Sequence, residues 1–383
     1  MTERTKKQIQ DYIEYLLANS DAERPMWNKE MILQERPNKW NYIDGCMMTA
    51  LLSLYEITGE ERYFRFVRDF IDYFVLEDGT IKTYNITEFN LDNINTASNL
   101  FFLYDKTGEK KYRLALDHVR KQLDGMPRTK EGSFWHKEIY PYQVWLDGLY
   151  MAEPFYMRYE TRFRKMEKCA DVIRQFENVE KHMKDPKTGL YYHGYDESRQ
   201  MGWADPERGV SPNFWLRSLG WFILSLVETA QATDESLYYE KRYLQRLLAE
   251  LADALIPFQD ESGMFYQVVD HPEAEGNYLE TSGTALISAA VLKAVRLGYL
   301  TPRYAKLGER AFDGIAEKYL SENEDGTLKL GGICLVAGLG GKQNRDGSLS
   351  YYFSEPVVEN EAKGVAPFLL AYTEMLRRQP SEN

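Results

Sequence analysis

The sequence predicts an all-α fold, an (α/α)6 barrel or toroid with short β-hairpin-like loops gathered at one end. Two observations lead to this prediction: helical segments of low charge alternate with strongly amphipathic ones, and the connections between them recur along the chain. A third observation concerns size. A chain of 383 residues is longer than most that fold around a single core, yet no low-complexity or Pro/Ser-rich linker divides it. We therefore expect residues 1–383 to form one barrel domain.

Six helical segments carry few charges and have Gly, Ala or Ser near their starts. Small side chains let neighbouring backbones approach closely, so these segments are predicted to be inner helices around a common axis. They are expected at residues 44–58, 92–107, 147–159, 217–233, 282–298 and 363–378.

Other helical segments have apolar residues three and four apart and charged residues on the opposite face, which is typical of helices with one exposed side. Four such outer helices are predicted, at residues 63–75, 112–123, 241–256 and 305–320. The N-terminal residues show the same helical spacing. The links from inner to outer helices also match, as in YEITGEERYF (55–64) and YDKTGEKKYR (104–113).

Gly-centred turns mark the connections from outer to inner helices. These connections are predicted to be extended loops or hairpins at residues 76–85, 185–196, 260–270 and 323–332. Because they precede inner helices, the loops and the inner-helix N-termini should meet at one funnel-shaped end of the barrel. Helix N-termini carry partial positive charge and unpaired N–H groups, which favours an anionic ligand there.

Composition and motifs exclude several classes of protein. The sequence has 47 Lys and Arg against 59 Asp and Glu, which gives a net charge of −12. Such a charge leaves no large basic surface for binding nucleic acid. The first residues are not expected to form a signal peptide, and no apolar run is of membrane-spanning length. Cys46, Cys169 and Cys334 are too scattered for a disulfide framework or a thiolate metal site, so we predict a reduced, cytoplasmic protein.

No motif indicates a cofactor or a metal, and none is expected. GLGG (338–341) lacks the full dinucleotide-binding fingerprint and is predicted to be a loop. The sequence contains no phosphate-binding loop, zinc-binding His–Glu helix or nucleophile elbow. The 28 Tyr and 7 Trp suit sugar recognition, although such side chains equally serve half-buried packing.

Three inner helices begin near an aspartate: Asp44, Asp92 and Asp147. Helix capping is one interpretation of each of them. Asp147 differs because apolar neighbours surround it in the sequence, and such surroundings are expected to raise its pKa and let it donate a proton near neutrality. If Asp92 lies near a second carboxylate, the pKa of Asp92 is expected to be raised in the same way. The apolar neighbours of Asp147 are Trp145, Leu146, Leu149 and Tyr150.

Two histidines and one arginine are further candidates. His136 and His193 lie in aromatic loops before inner helices, where either a site role or hydrogen-bonded packing is open. Arg217 lies at an inner-helix start between Trp215 and Trp221. Its guanidinium could bind a carboxylate bidentately while the indoles stack on a sugar ring, or it could pair with a structural aspartate.

Long stretches of the chain resemble a known enzyme family. GSFWHKEIYPYQVWLDGLYMAEPF (132–155), LYYHGYD, FWLRSLGW and the segment 336–364 are similar to the unsaturated rhamnogalacturonyl hydrolases. These enzymes form glycoside hydrolase family 105 and are related to the unsaturated glucuronyl hydrolases. The resemblance implies an (α/α)6 barrel and a cytoplasmic enzyme that acts after pectin lyases. Its substrate would be an oligosaccharide with a Δ4,5-unsaturated uronate at the non-reducing end.

The resemblance also implies roles for individual residues. Asp147 matches the acid/base aspartate, which protonates C4 of the double bond before water adds at C5, and Asp92 matches the second site aspartate. The other matching positions, implied to contact substrate, are His136, His193, Trp215, Arg217 and Trp221, and less directly Tyr42 and Asp44.

Two other classes of function remain open from the sequence. A sugar epimerase or isomerase of the same fold would use His136 and His193 as acid and base and would have less need of Asp147. A non-catalytic oligosaccharide-binding protein would keep the Trp and Arg residues and lose the acid. One measurement distinguishes these classes from the hydrolase: the ultraviolet absorbance of the conjugated uronate disappears only if the double bond is hydrated.

Overall fold

A computed structural model describes residues 1–341 and 345–378 of the chain. It confirms the predicted all-α barrel. The inner helices are α3 (Tyr42–Thr58), α5 (Asp92–Asn95) continued by α6 (Ser98–Thr107), α8 (Leu146–Phe163), α10 (Leu216–Ala232), α12 (Thr281–Arg296) and α15 (Ala362–Arg378). The outer helices are α1 (Glu3–Ala18), α4 (Glu61–Phe74), α7 (Lys110–Gly125), α9 (Cys169–Met183), α11 (Tyr238–Leu255) and α13 (Ala305–Tyr319).

The remaining elements are short. Two further α-helices are α2 (Lys29–Leu33) and α14 (Leu349–Ser354), and 3-10 turns lie at Ile86–Glu88, Ile256–Phe258 and Pro302–Tyr304. The strands form three antiparallel pairs: β1 (Gln143–Trp145) with β2 (Gly194–Asp196), β3 (Leu320–Glu322) with β4 (Leu328–Leu330), and β5 (Ile333–Cys334) with β6 (Val357–Val358).

The inner helices close into a ring. Each packs against the next in chain order, and α15 packs back on α3. The outer ring closes through α1, because Glu14 of this helix pairs with Arg62 of α4 and the N-terminal amine lies 3.5 Å from Asp313 of α13. The outer helix α9 lies outside the four outer segments for which periodicity gave bounds, and it carries His182. No helix within the described residues is both long and apolar enough to cross a membrane.

One predicted inner helix is interrupted. The segment expected at 92–107 is divided at Thr96 and Ala97, where N–H groups bond three residues back instead of four. Gly45 of α3 packs directly on this break, and a Cβ on Gly45 would lie only 2.7 Å from the Cα of Thr96. The close approach of two inner helices therefore coincides with the tightened turn.

Glycines form the predicted turns between outer and inner helices. Gly79, Gly189, Gly263 and Gly326 all have positive φ, between 77° and 88°, a conformation that other residues rarely adopt. The loops they define reach the N-terminal ends of the inner helices. We call this end of the barrel the funnel.

A long excursion between β5 and β6 covers the funnel. We call its described residues, 335–341 and 345–356, the cover segment. Leu339 of this segment packs against Trp145 and Trp203, and Tyr352 packs against Trp215. Residues implied to contact substrate therefore lie beneath the cover segment.

Candidate active site

The N-terminus of α8 is positioned by the strand before it. β1 runs directly into α8 and pairs with β2, with Trp145 opposite Gly194. The backbone N–H of Leu146 donates to the carbonyl of His193 at 3.0 Å. This pairing brings Asp147 and His193 together from distant parts of the sequence.

Asp147 faces a histidine rather than a permanent cation. Its Oδ2 lies 3.5 Å from Nε2 of His193, and its side chain is 15% exposed. Within the described parts of the chain, no Lys or Arg forms an ion pair with this carboxyl. The Nδ1 atom of His193 lies 2.8 Å from the hydroxyl of Tyr352, so the three side chains form a connected row.

Asp92 lies in the opposite kind of environment. The ammonium of Lys137 is 2.6 Å from its Oδ2, and Nε2 of His136 is 3.4 Å from its Oδ1. Burial on its own raises the pKa of Asp92, but Lys137 and His136 outweigh burial and hold that pKa below its ordinary value. The expectation of a raised pKa at Asp92 is wrong, because a lysine rather than a second carboxylate lies beside it.

His136 is a neutral imidazole at neutral pH. Burial lowers its pKa to about 4, although the carboxylate of Asp92 acts in the other direction. The ring stacks on Trp145 with centroids 4.6 Å apart, and Tyr140 stacks on the same indole at 4.8 Å. His136 therefore lies between an aromatic wall and the ion pair of Asp92 with Lys137.

Trp215 forms a second aromatic wall. His193 lies against its indole at 4.6 Å, and the ring of Tyr352 is nearly parallel to it at 6.1 Å. The indole is only 1% exposed because the cover segment lies over it. In this structure His193 and Tyr352 together leave no face of the Trp215 indole exposed.

Arg217 is buried and already paired within the protein. Its Nε donates to the hydroxyl of Ser282 at 2.7 Å, one terminal nitrogen donates to the carbonyl of Cys334, and that nitrogen lies 3.7 Å from Glu280. The structural partner of this arginine is thus a glutamate and not an aspartate. The other terminal nitrogen, Nη1, has no hydrogen-bond partner among the described residues.

Trp221 and Tyr42 belong to one aromatic cluster. Trp221 is one turn further into α10, where it stacks on Tyr150 at 4.7 Å and meets the edge of Tyr42 at 6.4 Å. Burial, together with the charge of Asp92, raises the pKa of Tyr42 well above its usual value, so its phenol stays protonated. These rings form the floor of the funnel.

Asp44 is occupied by the scaffold. Its Oδ1 accepts from the indole of Trp27 at 2.8 Å, and its Oδ2 accepts from the amides of Asn38 and Asn41 at 2.7 and 3.0 Å. Burial raises its pKa to about 6, against the effect of these donors. Both oxygens are used within the protein, so Asp44 is not among the substrate contacts that we propose.

The capping interpretation applies to none of the three aspartates. The N-cap residues of their helices are Asn41, Leu91 and Trp145. Each aspartate lies inside the first turn, where its negative charge is favourable near the helix N-terminus.

Sequence reasoning missed Lys137, Tyr352 and Glu280. Lys137 follows His136 directly, and Tyr352 lies in the stretch 336–364, so both belong to segments that carry the family resemblance. Their roles depend on partners elsewhere in the chain and have no local signal. Glu280 caps α12, and an acidic residue before a small-residue helix start is the one pattern that could have indicated it.

Several buried polar atoms around the funnel have no hydrogen-bond partner among the described residues. They include Oδ2 of Asp147, Nε2 of His193 and the indole nitrogen of Trp215. Buried polar groups are nearly always paired in proteins, so such a group of unpaired atoms marks a place that receives water or a polar ligand. No cluster of three or more His, Cys, Asp or Glu suited to a metal ion occurs within residues 1–341 and 345–378.

Comparison with known proteins gives the family of this chain. The sequence profile of Glycosyl Hydrolase Family 88 matches residues 6–379. The chain belongs to this family. This family 88 chain is therefore a member of a family of glycosidases. Its resemblance to family 105 is confirmed, and it shares the fold of an unsaturated glucuronyl hydrolase.

Individual relatives of this family 88 chain span most of its length. It is 27% identical over 295 residues to the unsaturated rhamnogalacturonyl hydrolase YesR of Bacillus subtilis, covering 76% of this chain and 78% of that protein. It is 41% identical to a family 105 glycoside hydrolase of C. acetobutylicum of known structure, with a TM-score of 0.87 and coverage of 96% and 99%. The unsaturated glucuronyl hydrolase of Bacillus sp. GL1 shares the fold, with a TM-score of 0.66 at 15% identity and coverage of 89% and 88%.

Proposed function

We propose that this protein is an unsaturated rhamnogalacturonyl hydrolase that removes a Δ4,5-unsaturated galacturonyl residue from the non-reducing end of pectin-derived oligosaccharides. The observation that carries the proposal is the contrast between two carboxyls. Asp147 faces only a histidine, whereas Asp92 is paired with Lys137. Two carboxyls in such different environments can serve as proton donor and permanent anion in one reaction.

The reaction is hydration of a vinyl ether rather than displacement at the anomeric carbon. Asp147 donates its proton to C4, and C5 becomes an oxocarbenium ion. Water then adds to C5 while the carboxylate of Asp147 accepts a proton from that water. The resulting hemiketal opens, which turns C1 into a hemiacetal, and the hemiacetal releases the neighbouring sugar.

Asp92 contributes as an anion. Because Lys137 holds its pKa low, Asp92 is ionised over the neutral pH range and cannot be the proton donor. A fixed negative charge beside the sugar stabilises the oxocarbenium ion, and the protein does not have to reorganise to provide it. His136, which is neutral at this pH, adds no positive charge beyond that of Lys137.

Binding of the uronate carboxylate has to overcome the net charge of −12. The N-termini of the inner helices and Arg217 supply positive potential inside the funnel, where water screens charges poorly. The unpaired Nη1 of Arg217 is the donor proposed to contact the substrate carboxylate. The identity of the leaving sugar is proposed from the likeness to YesR.

The test follows the absorbance of the conjugated uronate with a panel of unsaturated disaccharides. We expect the absorbance to disappear with an unsaturated galacturonyl–rhamnose disaccharide, and faster than with an unsaturated glucuronyl disaccharide. In D₂O the product should carry deuterium at C4. An isomeric product that retains the absorbance would indicate an epimerase or isomerase, and binding without any chemical change would indicate a sugar-binding protein. Either result would overturn the proposal.

A further inference from the structure

We propose that Tyr352 is a positioning residue for the reaction. Its hydroxyl fixes the tautomer of His193. The N–H of His193 then holds one oxygen of Asp147 in a hydrogen bond, and the other oxygen is left for proton transfer. The inference rests on the proposed function, because it concerns the same proton donor. It adds a residue of the cover segment to the machinery of the funnel.

The row of three side chains has a clear order. The hydroxyl of Tyr352 is 2.8 Å from Nδ1 of His193, and Nε2 of the same ring is 3.5 Å from Oδ2 of Asp147. Tyr352 and His193 are both fully buried. Tyr352 belongs to α14 of the cover segment, and its ring is held by packing on Trp215, so its hydroxyl has a defined position.

Counting protons decides the direction of each hydrogen bond. The phenol has one proton, and within the described residues its only hydrogen-bond partner is His193. If Nδ1 donated to the phenol oxygen, the phenol proton would be buried without an acceptor, which is costly. Tyr352 therefore donates and Nδ1 accepts. Burial raises the pKa of Tyr352 well above its usual value, with smaller contributions from Tyr351 and Asp147, so the donor keeps its proton.

A neutral imidazole that accepts at Nδ1 carries its proton on Nε2. That N–H faces Oδ2 of Asp147, and among the described residues neither atom has another partner. A separation of 3.5 Å is long for a hydrogen bond, and catalytic hydrogen bonds of unliganded enzymes often shorten when substrate binds. With Oδ2 committed as an acceptor, the transferable proton of Asp147 resides on Oδ1.

The two proton transfers then use one oxygen. Oδ1 gives its proton to C4 and afterwards takes a proton from the water that adds to C5. Throughout, Nε2–H of His193 donates to Oδ2 and neutralises part of the charge on the intermediate carboxylate. Without Tyr352, the imidazole could exchange tautomers and present a lone pair to Oδ2, which would compete for the proton of Asp147.

The first experiment uses nitrogen-15 NMR of the histidine side chains in the unliganded protein. The chain has only five histidines, and His193→Gln assigns the signal. We expect His193 to be protonated at Nε2 in the wild type and in Tyr372→Phe, and to show mixed tautomers in Tyr352→Phe. Tyr372 is a matched control because it is a buried tyrosine of α15 that lies away from the funnel residues. A wild-type His193 protonated at Nδ1 would overturn the proposal.

The second experiment is kinetic. We expect Tyr352→Phe to lower kcat about tenfold to a hundredfold, the scale found for groups that orient a functional histidine. KM should change by less than about threefold, because the phenyl ring still packs on Trp215. Tyr372→Phe should match the wild type. A Tyr352→Phe enzyme with unchanged kcat, and with thermal unfolding showing it folded, would refute the role.

A double-mutant cycle tests whether Tyr352 acts through His193. The amide nitrogen of Gln in His193→Gln can reach Asp147 without help from the phenol, so adding Tyr352→Phe should lower kcat by less than about twofold further. If the double variant instead loses kcat by the product of the two single-variant factors, the residues act independently and the inference is contradicted. If the wild type does not hydrate any unsaturated uronide, the proposed function fails, while the NMR experiment still tests the placement of the His193 proton.

Discussion

At the scale of single residues, Asp147 and Asp92 have the same side chain in two different electrostatic environments. Lys137 forms an ion pair with Asp92 at 2.6 Å, whereas the one titratable partner of Asp147 among the described residues is the imidazole of His193. A carboxyl paired with a lysine is held in its ionised form and is a poor proton donor, whereas Asp147 has no such cation beside it among the described residues. The proposed assignment of the proton donor therefore rests on the partners of each carboxyl and not on its position on a helix.

The first residue-scale prediction concerns Asp147→Asn. This variant keeps the size and polarity of the side chain and removes the proton, so kcat should fall on the order of 10²–10⁴-fold, the usual contribution of a positioned acid–base group. Substrate binding, measured by calorimetry, should persist because Arg217 and the aromatic walls are unchanged. Asp69→Asn is the matched control, since Asp69 is exposed on an outer helix. If Asp92→Asn shows the full loss and Asp147→Asn does not, the roles of the two aspartates are wrongly assigned.

The second concerns Arg217→Lys. A lysine cannot reproduce the planar donor geometry that holds Ser282, the carbonyl of Cys334 and a substrate carboxylate together. We expect KM to rise about several-fold to a hundredfold, which corresponds to roughly 1–3 kcal/mol for a charge-assisted hydrogen bond. Initial rates over a range of substrate concentrations measure this. Unchanged KM with a lower melting temperature would assign Arg217 to the scaffold alone.

At the scale of elements, close helix approach shapes the site. Asp92 begins α5, and the short α5 is separated from α6 at the point where Gly45 of α3 packs on Thr96. The hydroxyl of Thr96 also donates to the carbonyl of Asn41 at the start of α3. This contact fixes where α5 begins relative to α3, and with it the position of Asp92 in the funnel.

The element-scale prediction compares Gly45→Ala with Gly202→Ala. A methyl group at position 45 would overlap the backbone of Thr96, so the inner helices would have to separate, and such overpacking costs about 1–3 kcal/mol of unfolding free energy. At position 202 a Cβ meets nothing within 4 Å, and the substitution should be close to neutral. Urea unfolding of both variants measures the difference. Equal stability would show that α3 and α5 are not in tight contact.

At the scale of the whole molecule, the funnel depends on the ring of helices and on the cover segment together. The ring brings the starts of α3, α5, α8 and α10 to one end, and the cover segment buries Trp215 and supplies Tyr352. Buried ionisable groups such as Asp44 link the stability of this assembly to pH, because their pKa differs between the folded and unfolded chain.

The whole-molecule prediction uses Asp44→Asn. Since burial raises the folded pKa of Asp44 to about 6, the folded chain binds a proton between its ordinary pKa of 3.8 and that value, and the unfolded chain does not. The wild type should therefore lose stability relative to Asp44→Asn as pH rises from about 4 to 6, by at most about 3 kcal/mol. Chemical unfolding of both proteins at several pH values measures the difference. A difference that is constant with pH would show that the pKa of Asp44 is not raised.

Local patterns in the chain are sufficient to predict the barrel and much of the funnel. Helical periodicity, small residues at inner-helix starts and Gly-centred turns are encoded within a few residues of each other, so the alternation of helices follows from the amino-acid sequence alone. The placement of Asp92 and Asp147 at helix starts follows from the same patterns. The interruption after Asn95 does not, because its cause is a glycine on another helix.

What each site residue touches depends on how the elements pack. Asp92 with Lys137, Arg217 with Glu280, His193 with Tyr352 and Asp44 with Trp27 are pairs between different elements of the chain. A pKa depends on burial and on charges within a few ångströms, and those neighbours are set by packing rather than by sequence spacing. The same aspartate at the same place in a helix can therefore be a proton donor, an anion or a buried scaffold group, and the folded chain alone distinguishes these roles.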